Sequence, residues 1–80
     1  MVPLAWLRPG ESAEILQVTG DADVVASLAE RGLRPGGRVE AIQQGEPAVV
    51  LVDGARLTLR TEGRADVWVR PETILPRGAQ

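Results

Sequence analysis

AVVLVDGARLTLR, residues 48–60, decides how this chain folds. Ala48–Val52 is an uninterrupted apolar run rich in β-branched residues, the composition of a strand covered on both faces. Asp53-Gly54 follows, two residues that both tolerate positive φ and therefore mark a two-residue hairpin. Ala55–Arg60 then alternates. Ala55, Leu57 and Leu59 fall on one face, and Arg56, Thr58 and Arg60 on the other.

Working outward, TEGRAD (61–66) reads as a polar turn, and Asp66–Arg70 alternates again with Val67 and Val69 opposite Trp68. From Pro71 onward PETILPRGAQ has two prolines and no period, which predicts a flexible C-terminal tail over 71–80 behind a folded domain over 1–70. On the other side of the hairpin, Gly45-Glu46-Pro47 is a turn and Arg38–Gln44 a strand. ADVVASLAERG (22–32) places Val24, Val25, Leu28 and Ala29 at helical spacing, a helix of about ten residues. Asp21 or Asp23 is placed to cap its start, Gly32 to close its end, and Arg31 to face the negative end of its dipole. Ser12–Val18 is the first strand. Five short strands, with one helix between the first and second, predict a mainly β chain rolled into a small closed or half-closed barrel.

The tetrapeptide LRPG occurs twice, at 7–10 and 33–36, an offset of 26 residues. Glu14 and Glu40, and Gln17 and Gln43, keep the same offset. A solenoid needs at least three copies, and the helix between these two has no second copy. Pro followed by Gly in the middle of a four-residue turn is instead the type II signature, because Pro fixes φ near −65° and Gly accepts the positive φ. Each LRPG is thus expected to be a core-anchored Leu followed by a tight turn that launches a strand.

Composition narrows the function. The 80 residues carry a net charge of −2, and all nine cations are Arg. That balance argues against a nucleic-acid-binding surface, which needs clustered positive charge. His and Cys are absent, so neither an imidazole base, a thiolate nor a zinc site of the usual kind can be assembled. The carboxylates are scattered singly, and no enzyme is expected. Asp21 and Asp23 could share a hard divalent ion, a weak carboxylate-only site, although helix capping explains them more simply. No cofactor and no metal ligand set is expected. The opening MVPLAWLRPGES lacks the pattern of a signal peptide, and no apolar run is long enough to insert in a membrane, so a cytoplasmic location is expected.

Leu33-x-Pro35-Gly36 directly after Gly32, then Gly45-x-Pro47, Val50, Val52, Gly54, Leu57, Leu59-Arg60, Val67 and Val69, together resemble the FeoA family over roughly residues 4–70. These are small cytoplasmic proteins of bacterial ferrous-iron transport, and their SH3-like barrel is also the C-terminal domain of diphtheria-toxin-repressor-type metalloregulators. The sequence departs from the family pattern at Arg31, where Met is usual, and at Gly63-Arg64, where Glu-Ala is usual. The resemblance implies a non-enzymatic adaptor that acts on the cytoplasmic GTPase domain of the large iron permease, FeoB. The alternative it implies is a stand-alone metalloregulator-type domain that contacts a transcription factor.

In either case Gly32, Leu33, Pro35, Gly36, Gly45, Pro47, Gly54, Leu57 and Leu59 are expected to serve the fold. A partner surface would draw on Arg31 and Arg34 at the helix exit, Arg60 at a strand end, and Trp68. Trp6, between Leu4 and Leu7, is expected to pack across one barrel end. A polyproline groove is not expected, since two Trp are the chain's entire aromatic complement. An open strand edge could admit a partner's backbone.

Overall fold

A computed structural model describes residues 1–72. In chain order the elements are β1 (Val2–Pro3), β2 (Ser12–Gly20), α1 (Ala22–Glu30), β3 (Arg38–Gln43), β4 (Ala48–Val52), β5 (Ala55–Leu59) and β6 (Ala65–Pro71), with a 3₁₀ turn at Leu4–Trp6. All pairings are antiparallel, and the strands lie in the order β1-β6-β2-β3-β4-β5. The fold is mainly β, six antiparallel strands in one sheet with one short helix, where five strands were expected. β1 was not expected from the sequence. It is only two residues long, Val2 against Val69 and Pro3 against Trp68, too short for any alternation to show.

The hairpin forms as its letters predict. Val52 faces Ala55 across Asp53 (φ 52°) and Gly54 (φ 81°), both left-handed as a type I′ turn requires. Val50 and Val52 are buried, whereas Val49 and Leu51 are only half-buried. The expected covering of both faces therefore holds on one face, because among the described residues a single sheet curled round its core puts no second layer on the outside of β4.

Both LRPG segments are the same turn. Glu11 N–H donates to Arg8 O at 2.9 Å with Gly10 at φ 93°, and Gly37 N–H donates to Arg34 O at 3.0 Å with Gly36 at φ 92°. Leu7 and Leu33 are buried. The copies are also related in space. Ala13 faces Val39 at the centre of the β2–β3 ladder, and a local two-fold there exchanges the flanking pairs Ser12–Glu40 and Glu14–Arg38. The ends of the ladder obey it too. Gly10 N–H donates to Ala41 O (2.7 Å) and Ala41 N–H to Glu11 O (2.9 Å); Gly36 N–H donates to Ile15 O and Ile15 N–H to Gly37 O, both at 2.8 Å. Next come twin bulges, Leu16 between Ile15 and Gln17 in β2 and Ile42 between Ala41 and Gln43 in β3. An extra residue switches which face the following side chains take, so neither strand alternates cleanly along its length.

The core collects Ile15, Leu33, Val39, Val50 and Val69, all fully buried, with Leu4, Leu7, Leu28, Val52, Leu59 and Val67 around them. Each such side chain stabilises the fold by about 1.5–3 kcal/mol relative to exposure. α1 contributes Leu28, and Val24 packs at the core's margin. The helix ends in a Schellman motif, with Leu33 N–H donating to Leu28 O at 2.9 Å and Gly32 N–H to Ala29 O at 3.0 Å. Its start departs from expectation. Asp21 holds the N-cap position without a side-chain cap bond; Asp21 and Asp23 instead both meet the guanidinium of Arg64, at 2.8 and 3.1 Å. A planar guanidinium can donate to two carboxylates at once, which a single backbone N–H cannot match.

Trp6 also departs from expectation, being 72% exposed rather than packed on the barrel end. A 3₁₀ turn repeats every three residues, so Leu4 and Leu7 share the inward side and Trp6 is turned out. At the other terminus Pro71 closes β6, and Glu72 N–H donates to Ser12 O while its carboxylate pairs with Arg38. The sheet thus runs past the expected boundary at 70, and the rest of the expected tail, from Thr73 on, lies outside the described residues. Among the described residues no helix is long and apolar enough to cross a membrane.

Candidate interaction surface

Among the described residues β5 pairs with β4 alone and ends the sheet. α1 lies beyond it, and between the two runs a groove of about 290 Å³. Val24, Ser27 and Leu28 form the helical wall, and Thr58 to Thr61 the strand wall. Arg31 and Arg60 stand on opposite sides of this groove, so two of the four residues expected at a partner surface are brought together. Arg31 arrives there as the C-cap of α1; Arg60 arrives as the first residue past β5, on the outward face set by the alternation Arg56, Thr58, Arg60.

The other two lie elsewhere. Arg34 sits in the second LRPG turn, its Nη1 donating back to Ala29 O at 3.3 Å. Trp68 lies half-buried in β6, its Nε1 donating to Thr19 Oγ1 of β2 at 3.0 Å. An indole so held is a packed strand residue with a satisfied polar end.

Arg56 belongs to the surface although it was not singled out. It is exposed on the edge strand, on the same face as Thr58 and Arg60, and that alternation was its signal. Among the described residues Arg31, Arg56 and Arg60 have no carboxylate within 4.0 Å, whereas Arg38, Arg64 and Arg70 are paired with Glu72, with Asp21 and Asp23, and with Glu14. Asp23, the acid on the groove wall, is already engaged by Arg64. The hydrogen bond that Arg64 donates to Asp21, then the charge of Asp23, push its guanidinium above its ordinary range. The rim of the groove is accordingly cationic and unmatched.

A second cavity, of about 230 Å³, opens between the start of the chain and the far ends of β4, β5 and β6. Leu4, Ala48, Leu59 and Val67 make its walls apolar. Gln44 closes one side, its Nε2 donating to Leu4 O at 3.1 Å and to Leu7 O at 2.5 Å. Gly45 (φ 123°) and the cis Glu46–Pro47 bond carry the chain round its rim into β4. Among the described residues no three carboxylates gather as a metal site would need, and Asp21 and Asp23 are turned to Arg64.

The FeoA domain model matches residues 2–71, the whole of the sheet just described. The chain belongs to the FeoA family. Solved members superpose closely. The FeoA protein of Chlorobium tepidum has a TM-score of 0.80 at 25% identity, over 90% of this chain and 71% of that one. The zinc-complexed FeoA of Stenotrophomonas maltophilia, described as a prokaryotic SH3-domain protein and a candidate ferrous-iron transport activating factor, gives 0.74 at 27% identity, over 88% and 91%. T. acidophilum IdeR gives 0.71 at 28%, over 86% of this chain but 34% of its own length, so this fold is one part of that protein. No curated protein matches the chain.

Proposed function

We propose that this FeoA-family chain is a non-enzymatic accessory protein of ferrous-iron uptake, which binds the cytoplasmic GTPase domain of the FeoB-type permease and modulates transport. The family match over residues 2–71 carries the reading. The description of the S. maltophilia relative as a candidate ferrous-iron transport activating factor supports it, as does the open groove between α1 and β5. Binding would engage the groove rim at Arg31 and Arg60. Titrating the purified chain against the isolated GTPase domain tests this. Saturable binding is expected, and no binding at high micromolar concentration overturns it.

The likeness to IdeR favours a second reading, a stand-alone metalloregulator-type domain that contacts a transcription factor. Parallel titration against such a regulator separates the two, since only one partner should saturate the chain.

A further inference from the structure

β5 leaves the sheet unfinished, and its geometry says how a partner would finish it. Val52 and Ala55 flank the two-residue turn and exchange both backbone hydrogen bonds, as the residues closing such a hairpin do. Bonded pairs then recur at Val50–Leu57 and Ala48–Leu59. Between them, the backbone N–H and C=O of Arg56 and Thr58 are aimed away from β4, at an edge with no partner strand among the described residues. Unpaired strand edges are templates for another strand.

The side chains select which strand. Arg56 and Arg60 rise from the same edge, Arg31 faces Arg60 across the groove, and none of the three has an acidic partner among the described residues. A second copy of β5 is disfavoured, because antiparallel self-pairing about Thr58 sets Arg56 opposite Arg60, and like charges directly opposite are destabilising. We propose that the β5 edge receives one extended acidic segment of a partner protein as a seventh strand, its backbone bonding Arg56 and Thr58 and its carboxylates meeting Arg31, Arg56 and Arg60. The inference rests on the accessory reading only for the owner of that segment. The backbone bonds give affinity without sequence preference, and the three guanidiniums choose acids.

The test uses the full chain, isotopically labelled, with a capped peptide alternating Glu and Val as probe. Its addition should shift the Arg56 and Thr58 amides and slow their exchange. The Gln-for-Glu peptide should bind about tenfold or more weakly, as should the Glu peptide to an Arg56→Glu, Arg60→Glu variant, whose changes sit on exposed positions and spare the core. A Glu peptide N-methylated at alternate residues should not bind, since it cannot pair as a strand. Equal binding by the Gln or the N-methylated peptide overturns the proposal, as does an unchanged pair of amides. A single-stranded oligonucleotide that protects the same amides also overturns it. If the unmodified chain and the double Glu variant bind the permease GTPase domain equally well, this inference fails, and the accessory reading stands without Arg60 as a contact. If the Glu peptide docks on β5 while the GTPase domain does not bind, the accessory reading fails and this one stands.

Discussion

A Cβ placed on Gly20 would stand 2.3 Å from the carbonyl oxygen of Arg64 and 2.6 Å from the Cα of Ala65. Gly20 ends β2 opposite Ala65, with φ at 134°, so the strand meets its neighbour at a distance no other residue permits. The obstacle is backbone and cannot turn aside. Gly20→Ala is expected to destabilise the chain by about 2–3 kcal/mol or more, read as a lowered denaturant midpoint at unchanged slope.

Arg64 holds the two ends of that approach together. Its guanidinium spans Asp21, just past β2, and Asp23, in the first turn of α1. Arg64→Ala should speed amide exchange at the helix start. Arg64→Glu should speed it further by setting three carboxylates side by side, and added salt should shrink the difference between the variants.

Stability should be flat between about pH 6 and 9. With no His, Cys, Tyr or Lys, the chain's titrating side chains are carboxylates and guanidiniums, whose ordinary ranges lie below about 5 and above about 12. No side-chain type in the sequence has its ordinary range inside that window, so side-chain protons should contribute little to the pH slope there. The raised Arg64 does not alter this. A raised group stabilises the fold below its unfolded value and loses that contribution only as pH climbs through its folded value, beyond the window. Thermal midpoints across the window check it, and a drift of more than a few degrees counts against it.

The two Trp should separate spectroscopically. Trp6 is exposed, whereas Trp68 is half-buried with its Nε1 on Thr19. In Trp68→Phe the remaining emission should be red-shifted and readily quenched by acrylamide; in Trp6→Phe it should be bluer and more protected. Trp68→Phe also loses the Thr19 bond, at a cost of about 1 kcal/mol.

What the letters disclosed was chemistry that acts locally. Asp53-Gly54 needs only itself to turn, and Gly32 after Leu28 needs only the helix it ends. The same holds for Pro35-Gly36. What they hid depends on distance or on count. Nothing in ILQV or AIQQ marks Leu16 or Ile42 as the extra residue, because a bulge is fixed by the register of a neighbouring strand. LAWL reads as apolar throughout, and only the three-residue repeat of its turn puts Trp6 outside. Arg64 lies 43 positions from Asp21, so their pairing has no local trace. At the candidate surface Arg31 and Arg60 were visible as exposed cations near turns. That they share one groove, and that Trp68 lies elsewhere, followed from how α1 and β5 sit in space.

Gly36→Ala and Gly10→Ala should each cost about 1–2 kcal/mol, from backbone strain alone, since a Cβ at either position meets nothing within 4 Å. The pair should not add up independently. Each LRPG turn clasps the strand that the other turn launches, so the two form one handshake in which neither hand closes on empty air. Loosening one grip frees the other, and a double-mutant cycle should therefore show coupling between sites far apart in the chain. Written twice, the four letters tie both halves of the sheet together, and the two halves are expected to open as one unit.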